Sequence, residues 1–280
     1  MITIPGLAAE ALSDYLTDHM GRRFGTTDAR LTELIPLMAR MSLECIGNSD
    51  ALYHNVEHTM LVTLVGYDIL KGRALLTPTD AGDFAHVLIA CLLHDIGYVR
   101  GIVKGDGPDG YVIDANNNKA RLPRGSSDAA LLPYHVDRSK LYAMERLGTA
   151  KRLDAKRIAN AIEYTRFPSP AQTDDADNEE GLLVRAADLI GQLGDPHYLR
   201  KANALYYEFE EVGMNRQLGY TSPADLTELY PQFYWKSVSA RIQSAIQYLN
   251  VTASGRQWIA SLYSNVFRAE RALDLSGPQR

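Results

Sequence analysis

Seven consecutive apolar residues, Val87-Leu88-Ile89-Ala90-Cys91-Leu92-Leu93, run directly into His94-Asp95, and Ile96-Gly97 stops the pattern. A helix that is apolar on every side has no face to give to water, so it lies at the centre of a domain with other elements around it. The rest of the chain supplies helices for that role. Apolar residues recur at helical spacing over 7–20, 31–46 (with Pro36 inside, where a kink or break is expected) and from the Asn48-Ser49-Asp50 cap signals through Leu70. Thr77-Pro78-Thr79-Asp80 is a start signal for the helix that ends at His94-Asp95. Further helical patterns cover 126–147 (interrupted by Pro133), 154–166, 179–193, 197–212, 231–249 and 255–273. Strand-like alternation never persists. The expected fold is therefore all-α: one helical domain over 1–280, with scaffold helices in 1–50, a core over 51–250 and a C-terminal helix in 251–280.

Two stretches depart from this pattern. Between Tyr98 and Gly125, five glycines, Asn116-Asn117-Asn118 and two prolines forbid a long helix, so the segment reads as a lid or a disordered insertion. Residues 167–178 read as a Pro- and Asp-rich connection.

His94-Asp95 puts an imidazole beside a carboxylate where a buried helix opens into a glycine-rich loop, which is a place to hold a metal ion. Adjacent helical residues point about 100° apart, so the two reach one ion only near a helix end, and Gly97 supplies that end. Upstream, Tyr53-His54-Asn55-Val56-Glu57-His58 places two histidines four residues apart, a spacing that shares one helix face. Mixed nitrogen and oxygen ligands suit zinc, iron, manganese or cobalt better than calcium, and the lack of cysteine ligands argues against a purely structural zinc.

Composition limits the function. A formal net charge of −5 gives no basic field for a nucleic-acid backbone, so no duplex partner is expected. Cys45 and Cys91 sit in apolar helical patterns and match neither a disulfide framework nor a CxxC site. No secretory signal is visible and no apolar run approaches the roughly 20 residues of a membrane span. A cytoplasmic protein without a membrane partner is expected, and a homodimer is compatible with the sequence.

These residues resemble those of a family, the HD-domain metal-dependent phosphohydrolases, and within it the cyclic-nucleotide phosphodiesterases. Tyr53-His54-Asn55-Val56-Glu57-His58-Thr59 is similar to that family's first histidine segment, His94-Asp95 to its HD pair, and Ala187-Asp188-Leu189 to its distal aspartate segment. The resemblance covers roughly 53–249 and implies a helical fold in which His58, His94, Asp95 and Asp188 ligate one or two divalent ions: zinc, manganese, iron, cobalt or magnesium. Asp95 would bridge to a second ion. His54 would stay off the metal as the general acid for a reaction driven by metal-activated water. Segments Glu208-Phe209-Glu210-Glu211-Val212-Gly213, Gly219-Tyr220-Thr221-Ser222-Pro223 and Gln232-Phe233-Tyr234-Trp235 follow in the order of the phosphodiesterase segments that lead to a base-gripping glutamine, so Gln232 would hold a nucleobase. Where those enzymes carry a further histidine after the HD pair, this chain has Tyr98. His135 is a candidate contact to the nucleophilic water or second ion, and Arg138 to the phosphate, which a guanidinium matches bidentately.

The expected function is hydrolysis of a small phosphodiester, a 3′,5′-cyclic nucleotide in particular. Three other readings stay open: a nucleotidase or nucleoside-triphosphate hydrolase on the same scaffold, a di-iron oxygenase of the HD fold, and a catalytically silent signalling domain stabilised by metal.

Overall fold

The computed structural model describes residues 2–168 and 178–276. Among them the chain is all-α apart from one two-stranded ladder. Helices α1 (Ile4–Phe24) and α2 (Ala29–Ile46) start at Thr3 and Asp28, whose side chains accept the backbone N–H of Gly6 and Leu31. These are the residue types that satisfy orphan donors at a helix start. α2 continues through Pro36 rather than breaking there; Ile35, Pro36 and Ala39 are buried, and packing against α1 and α4 holds the helix across the missing hydrogen bond.

Helix α3 (Val56–Leu76) begins later than the Asn48-Ser49-Asp50 signals suggest. Asn55 is the cap, its Oδ1 accepting from Glu57 N at 3.0 Å and His58 N at 3.3 Å. His58 therefore lies on the helix and His54 in the turn before it, so the two do not share a helical face. α4 (Ala81–Leu93) is the centre of the molecule: every residue from Phe84 to Leu93 is buried, and the helix packs against α2, α3, α6 and α7.

The segment 98–125 is an ordered appendage rather than an open lid. Its strands β1 (Tyr111–Val112) and β2 (Lys119–Ala120) pair antiparallel. The helical pattern at 126–147 divides at Pro133 into a 3₁₀ turn (Asp128–Leu131) and α5 (His135–Leu147). α6 (Ala155–Glu163), α7 (Glu179–Leu193) and α8 (Tyr198–Glu211) follow. The connection expected at 167–178 lies, from 169 to 177, outside the described residues.

The single helix expected over 231–249 is instead a broken path. After α9 (Met214–Leu218) and α10 (Pro223–Glu228) come α11 (Tyr230–Phe233), a π turn, a 3₁₀ turn and α12 (Gln243–Asn250), before α13 (Ala253–Ser276). One core cluster runs from Ala9 on α1 to Ala269 on α13.

One close helix contact matters for the site. A Cβ at Gly191 on α7 would stand 2.9 Å from Val62 Cα on α3, so only glycine lets the two helices approach this far. That approach brings Asp188, one turn before Gly191, up to His58, one turn before Val62.

Candidate metal centre

Four side chains converge where α4 ends. His94 closes the helix with helical backbone angles, and Asp95 (φ −107°, ψ 3°) turns out of it into the 3₁₀ turn Ile96–Tyr98. This change of direction lets adjacent residues face one point. His94 Nε2 lies 3.0 Å from Asp95 Oδ2 and 3.3 Å from His58 Nε2. His58 Nε2 lies 3.3 Å from both Asp95 Oδ2 and Asp188 Oδ1, and His94 Nε2 is 3.7 Å from Asp188 Oδ1. His58, His94 and Asp95 are buried and form a group that could hold a metal ion; Asp188 flanks it at one-fifth side-chain exposure.

The chemistry of these atoms fits a cation. His94 Nδ1–H donates to Cys91 O at 2.7 Å, so in the neutral ring Nε2 carries a lone pair. Histidine ligands of metals are oriented by this kind of carbonyl contact. Asp95 Oδ2 is buried and has no hydrogen-bond partner among the described residues. Lone pairs packed against each other in a dry site repel unless positive charge lies between them. Bonds of about 2.0–2.2 Å to a common ion would place ligand atoms about 3.0–3.5 Å apart, close to the separations found.

The titration behaviour says the same. Burial alone would push the His58 imidazole down, but Asp188 and Asp95 outweigh it and hold its pKa up at about 10. For His94 too burial pulls down, and Asp95 with Asp188 raises the ring above its ordinary value. Asp95 is held well below the carboxylate range, burial notwithstanding, by His94, His54 and His58. The cluster draws in positive charge, as protons or as a metal ion.

His54 stands beside this group, off the ligand set. Glu208 on α8 accepts from Tyr53 N at 2.6 Å, His54 N at 3.2 Å and His54 Nδ1 at 2.5 Å. Its carboxyl is held below its usual range because the charge and hydrogen bond of His54 outweigh burial. The contact fixes the His54 ring and leaves Nε2 for proton exchange. Tyr98 is sandwiched between the rings of His54 (4.7 Å) and His135 (4.6 Å) and is fully buried. His135 donates Nδ1–H to Leu132 O, presents Nε2 at 3.7 Å from Asp95 Oδ1, and burial pushes its pKa down. Asp95 thus offers one oxygen to His58 and His94 and the other to His135.

Two of the expected substrate contacts are not in the site. Arg138 is buried and spends all five N–H groups within the protein: Nε on Gly97 O (2.7 Å), Nη1 on Asp106 Oδ1 (3.0 Å) and Val112 O (2.6 Å), Nη2 on Asp106 Oδ2 and Val99 O (both 2.9 Å). No donor remains for a phosphate; the residue pins the 98–125 appendage and the Gly97 peptide instead. Gln232 is exposed and does not line the cleft, because the helix breaks at α11 and turns Phe233 inward in its place. Glu208 is the functional neighbour that sequence reasoning did not single out. Its available signal was its place one turn after Leu205 and beside Phe209 on the buried face of α8.

The cluster opens on a cleft of about 990 Å³ of empty space, its mouth included. His54, Asp95, His135 and Asp188 contribute to its lining, and aromatic and aliphatic side chains form most of the rest. Among the described residues no helix is long and apolar enough to cross a membrane.

Fold and site together define an all-α protein with a buried histidine–aspartate cluster at the end of its central helix and a cleft leading to it. A family model described as Npun_R2479-like matches residues 5–272, and the chain belongs to the Npun_R2479-like family. No curated protein and no solved structure matches the chain.

Proposed function

We propose that this protein is a metal-dependent phosphohydrolase of the HD-domain type, acting on a small phosphoester. The observation that carries the reading is the convergence of His58, His94, Asp95 and Asp188 with unshared lone pairs on one point, beside a histidine that Glu208 holds off that point. A divalent ion in the cluster supplies Lewis acidity and lowers the pKa of water toward neutrality. His58, His94, Asp95 and Asp188 would hold the ion, and Asp95 Oδ1 with His135 Nε2 would offer groups for a second. Because His94 and His135 each anchor Nδ1 on a backbone carbonyl, both rings are set before any ligand arrives. As water adds to phosphorus and the ester P–O bond breaks, His54 in its imidazolium form, with Nδ1–H on Glu208, would give its Nε2 proton to the departing ester oxygen. Glu208 acts through His54, fixing the tautomer and stabilising the imidazolium.

The cyclic-nucleotide substrate loses its particular support, since Gln232 faces away from the cleft and Arg138 is committed elsewhere. The hydrolase reading does not depend on either. Its test is hydrolysis of phenyl phosphate and diphenyl phosphate, whose leaving oxygens need a proton, by protein loaded with Mn²⁺ or Zn²⁺. Activity that falls about 10²- to 10⁴-fold in His54→Ala with metal content unchanged supports it. Metal-loaded protein that leaves both esters intact overturns it.

A further inference from the structure

The cleft beyond the metal cluster is lined mostly by ring and aliphatic side chains; at its cluster end the Tyr98 hydroxyl is buried without a hydrogen-bond partner among the described residues. Thr165 donates its hydroxyl to Ile162 O (2.8 Å) and Tyr230 to Leu193 O (3.3 Å). Arg166 binds Glu163 and Asp137 through Nε and Nη2. Most of the remaining lining is ring and aliphatic surface, for which Leu205, Phe209, Met214, Leu226 and Phe233 are representative. The stripe Arg185, Asp188, Leu189, Gln192 on α7 runs from cluster to wall at helical spacing, so one rigid element joins the polar and apolar parts.

A nucleoside entering such a wall would bury ribose hydroxyls and base-edge donors and acceptors largely against ring and aliphatic surface. Each polar group left unpaired in a dry site weakens binding roughly ten-fold. A flat apolar ring has no such groups to strand, gains its full hydrophobic transfer, and stacks on the aromatic walls.

From this we infer that the body of the substrate is a flat, uncharged apolar group, such as a fused aromatic ring, esterified to the phosphate that the metal cluster receives. The inference rests on the phosphohydrolase reading for its phosphate end, and on the cleft alone for its apolar end. It predicts selectivity by body rather than by base: 2-naphthyl phosphate is preferred over phenyl phosphate, and both over AMP and cyclic AMP.

Two measurements on the metal-loaded protein separate the two ends. Calorimetric titration with 2-naphthol and with adenosine, neither carrying phosphate, reads the cleft by itself. The expected result is that 2-naphthol binds at least ten-fold more tightly, and that Phe233→Glu, checked for native far-ultraviolet circular dichroism, weakens it ten-fold or more. Adenosine binding as tightly as 2-naphthol, or 2-naphthol binding untouched by Phe233→Glu, overturns the inference whatever the catalytic result. The second measurement is kcat/KM for the four esters. A kcat/KM ten-fold or more higher for 2-naphthyl than for phenyl phosphate, whose leaving groups are alike, supports both readings, and a smaller ratio, or a preference for either nucleotide, overturns the apolar body while leaving the hydrolase standing. Selective 2-naphthol binding with no ester hydrolysed supports the apolar cleft and overturns the hydrolase.

Discussion

Replacing Arg138 by methionine removes the guanidinium that ties the 98–125 appendage to the site, and the size of the effect follows from its partners. Its charge partner Asp106 has a side chain 1% exposed. Without Arg138 that carboxylate keeps only the N–H groups of Val112 (2.8 Å) and Val103 (3.4 Å), and the carbonyls of Gly97, Val99 and Val112 lose a donor. Breaking a buried pair by removing one partner costs about 3–5 kcal/mol, because the remaining charge stays uncompensated. For a chain of this length that lowers Tm by roughly 10 °C. Arg138→Met with Asp106→Leu leaves neither charge stranded and recovers part of the loss, a non-additivity that a double-mutant cycle reads directly. The effect also reaches the metal cluster. Gly97 lies two residues after Asp95, its carbonyl held by Arg138 and its N–H by Ser139 Oγ (2.9 Å), and a Cβ at Gly97 would run into the His135 carbonyl. Arg138→Met should therefore weaken metal binding about 10- to 100-fold, the usual cost of losing an outer support. Urea unfolding followed by circular dichroism, with trypsin cleavage mapped over 98–125, checks the account. A loss under about 1 kcal/mol together with unchanged protease resistance refutes the reasoning.

Glu208→Gln keeps an acceptor beside His54 but removes the charge that stabilises its protonated form, so kcat toward phenyl phosphate, whose leaving oxygen needs a proton, should fall about 10²-fold while metal content holds; an unchanged kcat removes Glu208 from the mechanism. At Glu163, burial raises the pKa, but hydrogen bonds from Arg166 and Lys140 outweigh it and hold the carboxyl below its usual value. The folded pKa is depressed, so its stabilisation is present above the unfolded pKa of about 4.3 and disappears as pH falls through the folded value. Thermal melts of wild type and Glu163→Gln should differ by about 0.5–1 kcal/mol at pH 7, given partial exposure, and the difference should shrink as pH falls below the unfolded value. Persistence of the full difference at pH 3 contradicts the assignment.

The central helix was legible because seven apolar residues in a row exclude every placement except a buried one, and α4 is buried from Phe84 to Leu93. The meeting of His58, His94, Asp95 and Asp188 was legible from the likeness of their segments to those of the HD-domain family, to which the apolar neighbours of Asp188 added weight. The start of α3 was not, because several residue types able to cap a helix precede it, and the winner, Asn55, is decided by Glu208 holding the Tyr53 and His54 amides from 155 and 154 residues away. The same distance hides the partner of His54. Arg138 reads as a surface cation until the appendage folds over it, since its donors answer to carbonyls 26 to 41 residues earlier. Gln232 sits at the right place in the order of segments, but Pro231 and the π turn at Tyr234–Val238 rotate the helix so that its neighbour Phe233 takes the inward position.

The metal cluster is the claim on which the rest depends, and elemental analysis of the purified, dialysed protein beside a His94→Ala variant tests it most directly. At least one divalent ion per wild-type chain is expected, with its loss in the variant and the helical circular dichroism spectrum retained. Wild-type protein that folds fully and retains no divalent ion after equilibration with micromolar Mn²⁺ or Zn²⁺ contradicts it.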